Sequence, residues 1–563
     1  MDLGRKKLRL GDLLVNSQTI TEEQLDKALS LQKGTGRKLG EVLIDEGIAT
    51  DESIARALSN QLGMDMIELN NVTISQAILD LVPVNVLKKN QAIPFEYGAD
   101  LNVLRVAMAD PMDMNAIDDI SIITNLQVEP AVSTTRSIML ALDKYYGQGE
   151  VKSALEAYAK EKGVAQQEQE DAFSEDINSS PIVLMVKEMI DQAVRQRASD
   201  IHIEPMERQV RIRYRIDGVL CERVTYNRGI LSAIVARIKI IGGMDISEKR
   251  KPQDGRITQV VDRMEYDIRV SILPTVFGEK IVMRLTSKNA LTREKSQLGL
   301  KPAELKQFNR ILSNPHGIIL VTGPTGSGKS TTLYTALSEL NTGEVNIITV
   351  EDPVEANIDG INQVQVNTKA NLTFASALRS ILRQDPDIIM IGEIRDGETA
   401  TIAVQASITG HMVVSTLHTN SAAGTITRLE DMGIPPYLLA DSVVGVIAQR
   451  LVRKLCPVCK KKKPASAEEK ELLNLPADRE VMIYEPCGCP QCDGTGYHGR
   501  IGVYEILEMT PRLKSIISRN GGAEDIKEQA LKEGMHTLRM SAAEYVLDGI
   551  TSISEMAKVS FEL

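Results

Sequence analysis

Residues 323–331 read Gly323-Pro324-Thr325-Gly326-Ser327-Gly328-Lys329-Ser330-Thr331. Glycines at this spacing let successive backbone N–H groups turn inward around phosphates. Lys329 can then reach the β- and γ-phosphates, and the Ser330 hydroxyl can coordinate Mg²⁺. An ordinary glycine-rich turn is the competing reading. The apolar run Ile318–Val321 before the loop and the helix-compatible segment after it favour a nucleotide site, so the sequence predicts binding of a nucleoside triphosphate. Polar residues close three further apolar runs, where ligands bind open α/β sheets. Glu351-Asp-Pro-Val-Glu355 follows Ile347–Val350, and a carboxylate there can orient and deprotonate an attacking water. Glu393 follows Ile388–Ile391, where an acidic residue would serve the Mg²⁺ shell. Gly392 stands where phosphate-loop proteins commonly carry Asp, so metal contact there would run through a water. The third run, Met412–Val414, lies between His411 and His418, two of the chain's six histidines. Their closeness suggests a γ-phosphate sensor, although a lone histidine is more often a satisfied core residue. His418 is the stronger candidate.

A second constellation is sulfur. Five of six cysteines fall within Cys456–Cys492, and Cys456-Pro-Val-Cys459 and Cys489-Pro-Gln-Cys492 are two C-x-x-C pairs separated by 29 residues. In a reducing compartment this spacing suits a closed tetrahedral Zn²⁺ site, with redox cysteines as the alternative. Cys487 could compete as a ligand, but Gly-Cys-Pro-x-Cys makes the tighter knuckle. The separation exceeds common ribbon spacings and calls for a helical excursion between the pairs.

These residues need elements to hold them. The buried-strand runs alternate with helix-compatible segments, which predicts βα units and a parallel sheet in an α/β protein. At 563 residues the chain should hold several domains. We divide it into a duplicated helical repeat (1–61), a small α/β domain (62–147) and a flexible linker (148–180). A second α/β domain (181–290) and the nucleotide domain (291–563), with a zinc module at 453–500, follow. In the repeat, Arg9-Leu10-Gly11, Leu14, Leu25, Ala28-Leu29 and Gln32 recur 29 residues later. The second copy is Lys38-Leu39-Gly40, Leu43, Ile54, Ala57-Leu58 and Gln61. Packing alone could explain the apolar positions. In Val210–Ile216 strict alternation puts Arg211, Arg213 and Arg215 on one strand face, either solvated or available to phosphates.

A net charge of -11, no Trp and six Phe argue against nucleic acid as a partner. No apolar run reaches the ~20 residues of a membrane helix. The basic start lacks a signal peptide's apolar core. The expectation is a cytoplasmic protein that meets the inner face of a membrane only through partners.

Together GPTGSGKSTT, TVEDPVE, LRQDPDIIMIGEIRDGETA and TGHMVVSTLHTN resemble the secretion ATPases of type II secretion and type IV pilus assembly. In that family they are the Walker A, Asp, Walker B and His boxes. ASDIHIEP, RIRYRIDGVL and KRKPQDGR resemble its preceding domain. The resemblance implies a RecA-like ATPase core and a homohexamer hydrolysing ATP with Mg²⁺ between two domains. It implies Glu355 as general base, Glu393 as the Walker B carboxylate, and arginines given by a neighbouring subunit. Arg213 and Arg228 are the candidates for these, with Arg215 behind them. The cysteine insertion is similar to that of pilus-extension and type II secretion members, which implies an inner-membrane platform protein as partner. Pilus extension is the favoured reading, a type II secretion motor its rival, and a nucleic-acid translocase a distant third. The repeats resemble a cyclic di-GMP module built from paired R-L-G-x-x-L…A-L-x-x-Q motifs. This implies Arg9, Gly11, Lys38 and Gly40 as contacts, with Lys38, Gln18 and Ala49 departing from the pattern.

Overall fold

The computed structural model describes residues 10–17, 19–35, 39–46, 48–69, 72, 74–98, 100, 102–142, 145–146, 181–287 and 295–560. Arg9, Gln18, Lys38 and the linker at 148–180 lie outside these residues. The chain forms two compact units, Met1–Leu285 and Thr286–Leu563.

In the first unit the repeat folds as helices Leu10–Asn16, Glu22–Thr35, Leu39–Asp45 and Asp51–Leu62. Thr50 and Ser53 form a reciprocal capping box at the start of the last helix, and Gly63 ends it at φ 65. Equivalent residues of the two copies, Leu14 with Leu43 and Ala28 with Ala57, share one small core. Next comes a three-stranded sheet of β1 (Ala92–Tyr97), β2 (Val103–Met108) and β3 (Gln127–Val132), in that order. Strands β1 and β2 are antiparallel, whereas β2 and β3 are parallel.

Helix Pro181–Arg195 buries Met185, Val186, Met189, Ile190 and Ala193, the spacing of one helical face. It packs on a six-stranded sheet ordered β6-β5-β4-β9-β8-β7. Its strands are β4 (Ala198–Pro205), β5 (Gln209–Ile216), β6 (Val219–Asn227), β7 (Gln253–Val261), β8 (Met264–Thr275) and β9 (Gly278–Ser287). In β5 the alternation holds, with Val210, Ile212 and Tyr214 buried and the three arginines on the other face.

The second unit is built on seven strands ordered β12-β11-β13-β14-β10-β15-β18. They are β10 (Gly317–Thr322), β11 (Ile347–Glu351), β12 (Asn362–Gln365), β13 (Ile388–Ile391), β14 (Met412–Leu417), β15 (Val443–Leu455) and β18 (Tyr497–Glu508). All neighbours are parallel except β15 and β18. Strands β10, β11, β13 and β14 are buried along their whole length, because helices cover both faces. Their parallel register brings the carboxyl ends to one edge. Between β15 and β18 the chain makes a hairpin of β16 (Lys461–Pro464) and β17 (Met482–Glu485) around helix Ala467–Leu472. This is the excursion between the cysteine pairs.

Candidate nucleotide and metal sites

Strand β10 delivers the phosphate loop directly into helix Lys329–Leu340. Gly323, Gly326 and Gly328 have φ of 148, 80 and 92, values that strain other residues. At Gly323 a Cβ would also lie 2.5 Å from the Gln449 carbonyl oxygen and 2.6 Å from Ser327 Oγ. Pro324 is half-buried, Ser327 buried, and Thr325, Gly326 and Ser330 are exposed, with Thr331 half-buried behind them. The Ser330 hydroxyl therefore stands in the helix's first turn, where a magnesium ligand belongs.

Lys329 is buried, and its ammonium donates to the carbonyls of Gly323 (2.6 Å) and Pro324 (3.2 Å). Burial lowers its pKa to about 8, with Arg450 acting the same way and Glu393 opposing. His418 Nδ1 is 3.5 Å from Lys329 Nζ, and its Nε2 is 3.4 Å from a Glu393 carboxylate oxygen. The imidazole, half exposed at 50%, thus bridges cation and carboxylate. Glu393, 14% exposed, is also paired with Arg395. Lys329, His418 and Glu393 come from the ends of three neighbouring strands and form one cluster.

Gly392 has a packing cause. A Cβ there would lie 3.3 Å from both Glu351 Cα and the Val350 carbonyl oxygen. The two glutamates of the Glu351–Glu355 stretch are then distinct. Glu351 is 3% exposed and accepts hydrogen bonds from Tyr334, Thr349 (2.6 Å) and Gln363 (3.1 Å). Three of its roughly four lone-pair sites are taken. Glu355 is half-buried, and its backbone N–H donates to Tyr334 Oη at 3.2 Å, tying it to the helix that Lys329 begins.

His411 is not in the cluster. Its Nδ1 lies 2.9 Å from the Ala406 carbonyl oxygen, at the end of helix Gly397–Ile408. Its own carbonyl accepts from Gly317 N–H, at the start of β10. The phosphate loop leaves the other end of that strand, ~17 Å away at strand rise. Of the two histidines, the structure places His418 beside Lys329 and His411 at the opposite end of the strand. Sequence reading also missed Gln449 and Arg450 of β15. They look like polar interruptions in an apolar strand, and only register shows what they face.

In the first unit, Arg213 donates to Glu204 at 2.8 Å and Arg211 at 3.0 Å, while Lys280 adds a contact at 3.3 Å. Burial raises the Glu204 pKa, but these cations outweigh it and hold the group at about 2. Arg215 lies 3.6 Å from Asp200, and exposed Arg228 donates to the Glu207 carbonyl at 2.9 Å. In the repeat, Cβ atoms at Gly11 and Gly40 would meet Leu25 at 2.7 Å and Ile54 at 3.1 Å, so both glycines also serve helix packing.

The four knuckle sulfurs of Cys456, Cys459, Cys489 and Cys492 all lie within 4.8 Å of one another. Separations are 3.8 Å for Cys456–Cys489 and Cys459–Cys492, and 3.7 Å for Cys489–Cys492. Tetrahedral zinc with bonds of ~2.3 Å requires sulfur edges of ~3.8 Å, so the residues fit the metal. Cys492 Sγ accepts backbone N–H groups of Cys489 (3.2 Å) and Gly496 (3.1 Å). Burial opposes its ionisation, but these donors prevail and its pKa falls to about 7. Cys487 is exposed and stands outside the cluster.

The model of the family described as type II/IV secretion system protein matches residues 175–558, well over half of the chain. The chain belongs to this family. It is 43% identical to the type IV pilus assembly ATPase PilB of Myxococcus xanthus (strain DK1622), over 97% of this chain and 98% of that protein. It is 48% identical to the type II secretion system ATPase E of Vibrio cholerae, over 70% of this chain and 78% of that one. The crystal structure of the Yersinia pseudotuberculosis ATPase DotB shares the fold at TM-score 0.52 and 21% identity. It covers 70% of this chain and 97% of its own. An MshEN domain model matches residues 62–152, beyond the duplicated repeat. The protein is accordingly an ATPase of this family.

Proposed function

We propose that this ATPase powers type IV pilus assembly as a homohexameric motor at the inner face of the cell membrane. The observation that carries the reading is the similarity to a pilus assembly ATPase along 97% of the chain, the amino-terminal region included. Among the described residues no helix is long and apolar enough to cross a membrane. In this reading, contact with the bilayer runs through an inner-membrane platform protein. A type II secretion motor is the second reading, favoured by the 48% identity over the shared region.

Within the site, Lys329 leaves its two loop carbonyls to face the β- and γ-phosphates, while the loop N–H groups wrap them. Ser330 and Glu393 would hold Mg²⁺, which neutralises phosphate charge when bound. Glu355 takes the proton of the attacking water, since Glu351 is committed to three donors. His418, between Lys329 and Glu393, reports whether the terminal phosphate is present. Arg213 and Arg228 complete the site from a neighbouring subunit. The four cysteines hold structural Zn²⁺, and the repeat binds cyclic di-GMP.

Deleting the gene from its host separates the readings. Cells without surface pili that still export their type II substrates support the proposal. Piliated cells with blocked export overturn it.

A further inference from the structure

Strand β15 does more than flank the phosphate loop. Its pairing with β10 ends at Thr322 beside Ala448, so the next residues, Gln449 and Arg450, lie alongside the loop. Thr332, in the first turn of the loop's helix, donates to Gln449 Oε1 at 2.8 Å. The space above Gly323 is closed by the Gln449 carbonyl and by Arg450 Nη1, 3.1 Å from where a Cβ would stand. Arg450, only 6% exposed, donates from Nη1 to the Gln449 carbonyl (3.1 Å) and from Nη2 to Asn420 Oδ1 (3.0 Å).

Asn420 belongs to the segment that carries His418. The residue between them, Thr419, is fixed to the end of β10, its N–H donating to Thr322 Oγ1 at 2.9 Å. Two residues later the Ala422 N–H donates to buried Glu505 at 2.8 Å. Arg450 supplies a further tie, from Asn420 to β15, with its guanidinium packed beside Gly323 of the phosphate loop. We propose that Arg450 is a positioning residue for ATP hydrolysis, holding the His418 segment against the phosphate loop through Asn420.

A buried guanidinium is costly to desolvate, and an apolar side chain would fill the same volume more cheaply. What an arginine adds is a rigid planar fork that braces on its own strand at the Gln449 carbonyl while bonding the Asn420 side chain. Lysine keeps the charge without the fork.

The inference rests on ATP hydrolysis at the phosphate loop, and Lys329→Ala tests that separately. The assembled full-length protein would be compared with Arg450→Gln, Arg450→Lys, Asn420→Ala and the Arg450→Gln/Asn420→Ala pair. Steady-state kinetics, ADP affinity and melting would be measured for each. Arg450→Gln is expected to lower kcat at least tenfold with KM and ADP affinity within threefold. Asn420→Ala should move kcat the same way, and the pair should be no worse than Arg450→Gln alone. Arg450→Lys should recover part of kcat. Wild-type kcat in Arg450→Gln overturns the proposal, as does an intact Asn420→Ala beside a crippled Arg450→Gln. If Arg450→Gln does not fold, exposed Asn420 decides, and an unchanged kcat there overturns it. Wild-type nucleotide affinity in Lys329→Ala removes the phosphate-loop reading and this inference with it.

Discussion

At the scale of single residues, two carboxylates of one acidic stretch sit in different surroundings. Glu351 and Glu355 stand four apart in one acidic stretch, and their sequence context does not distinguish them. The structure does, by surrounding Glu351 with Tyr334, Thr349 and Gln363. Glu355→Gln should bind ATP normally and lose about 100-fold or more in kcat, because the base is neutralised while its shape survives. Glu351→Gln should instead lower the melting temperature, as a buried hydrogen-bond network loses an acceptor. Equal turnover in Glu355→Gln and wild type would show the base to be another group. Glu204 makes a similar point about acid. Its pKa falls from an ordinary 4.5 to about 2 in the fold, so its contribution is whole above pH 4.5. That contribution is lost as pH drops towards 2. Glu204→Gln should cost about 2 kcal/mol at pH 7, and the gap to wild type should close on acid titration. Urea unfolding at pH 7 and pH 3 would measure it. A gap that widens in acid contradicts the pairing with Arg211 and Arg213.

At the scale of elements, the strands that were legible were the short apolar ones. Ile318–Val321 and Ile388–Ile391 match β10 and β13 almost residue for residue, since burial on both faces leaves little room for polar side chains. Strand β15 was not legible, because VVGVIAQRLVRKL mixes apolar residues with Gln449, Arg450 and Arg453, whose partners are remote in sequence. His411 and His418 show the limit of spacing as a guide. They bracket one parallel strand, and a strand's two ends belong to different faces of the molecule. The cysteine pairs were legible because ligand spacing is local at each knuckle, whatever separates them. The knuckles also tie down β15, the strand of Arg450, since Cys456 follows it directly. Cys456→Ser or Cys489→Ser should therefore release about one Zn²⁺ per chain and lower the melting temperature of the second unit. Elemental analysis and calorimetry would check both. Wild-type protein free of zinc as isolated would remove the metal reading.

At the scale of the whole molecule, the chain carries on one polypeptide both a phosphate loop and a sheet face rich in arginine, in separate compact units. A closed ring allows each copy to offer its loop at one interface and its arginines at the next, because head-to-tail contacts repeat around the ring. That arrangement has an arithmetic consequence. A Lys329→Ala subunit keeps its arginines but cannot hold ATP, whereas an Arg228→Ala subunit keeps its loop but cannot complete its neighbour's site. Each variant alone forms inactive rings. In mixed rings, every Arg228→Ala loop that meets a Lys329→Ala arginine face regains a full site. For random assembly this fraction peaks at about a quarter of sites in an equal mixture and falls away on either side. Arg228 suits the experiment better than Arg213, since it is exposed and bonded only to a backbone carbonyl in the pairings seen here, whereas Arg213 helps hold Glu204. Substituting Arg213 therefore perturbs the fold as well as the chemistry. Titrating one variant into the other at fixed total protein, with subunit exchange verified by fluorescence transfer, gives the curve directly. A maximum near equal mixing is the expected outcome. Activity that stays at background across all ratios, in rings shown to have exchanged, means that Arg228 acts within its own subunit or not at all.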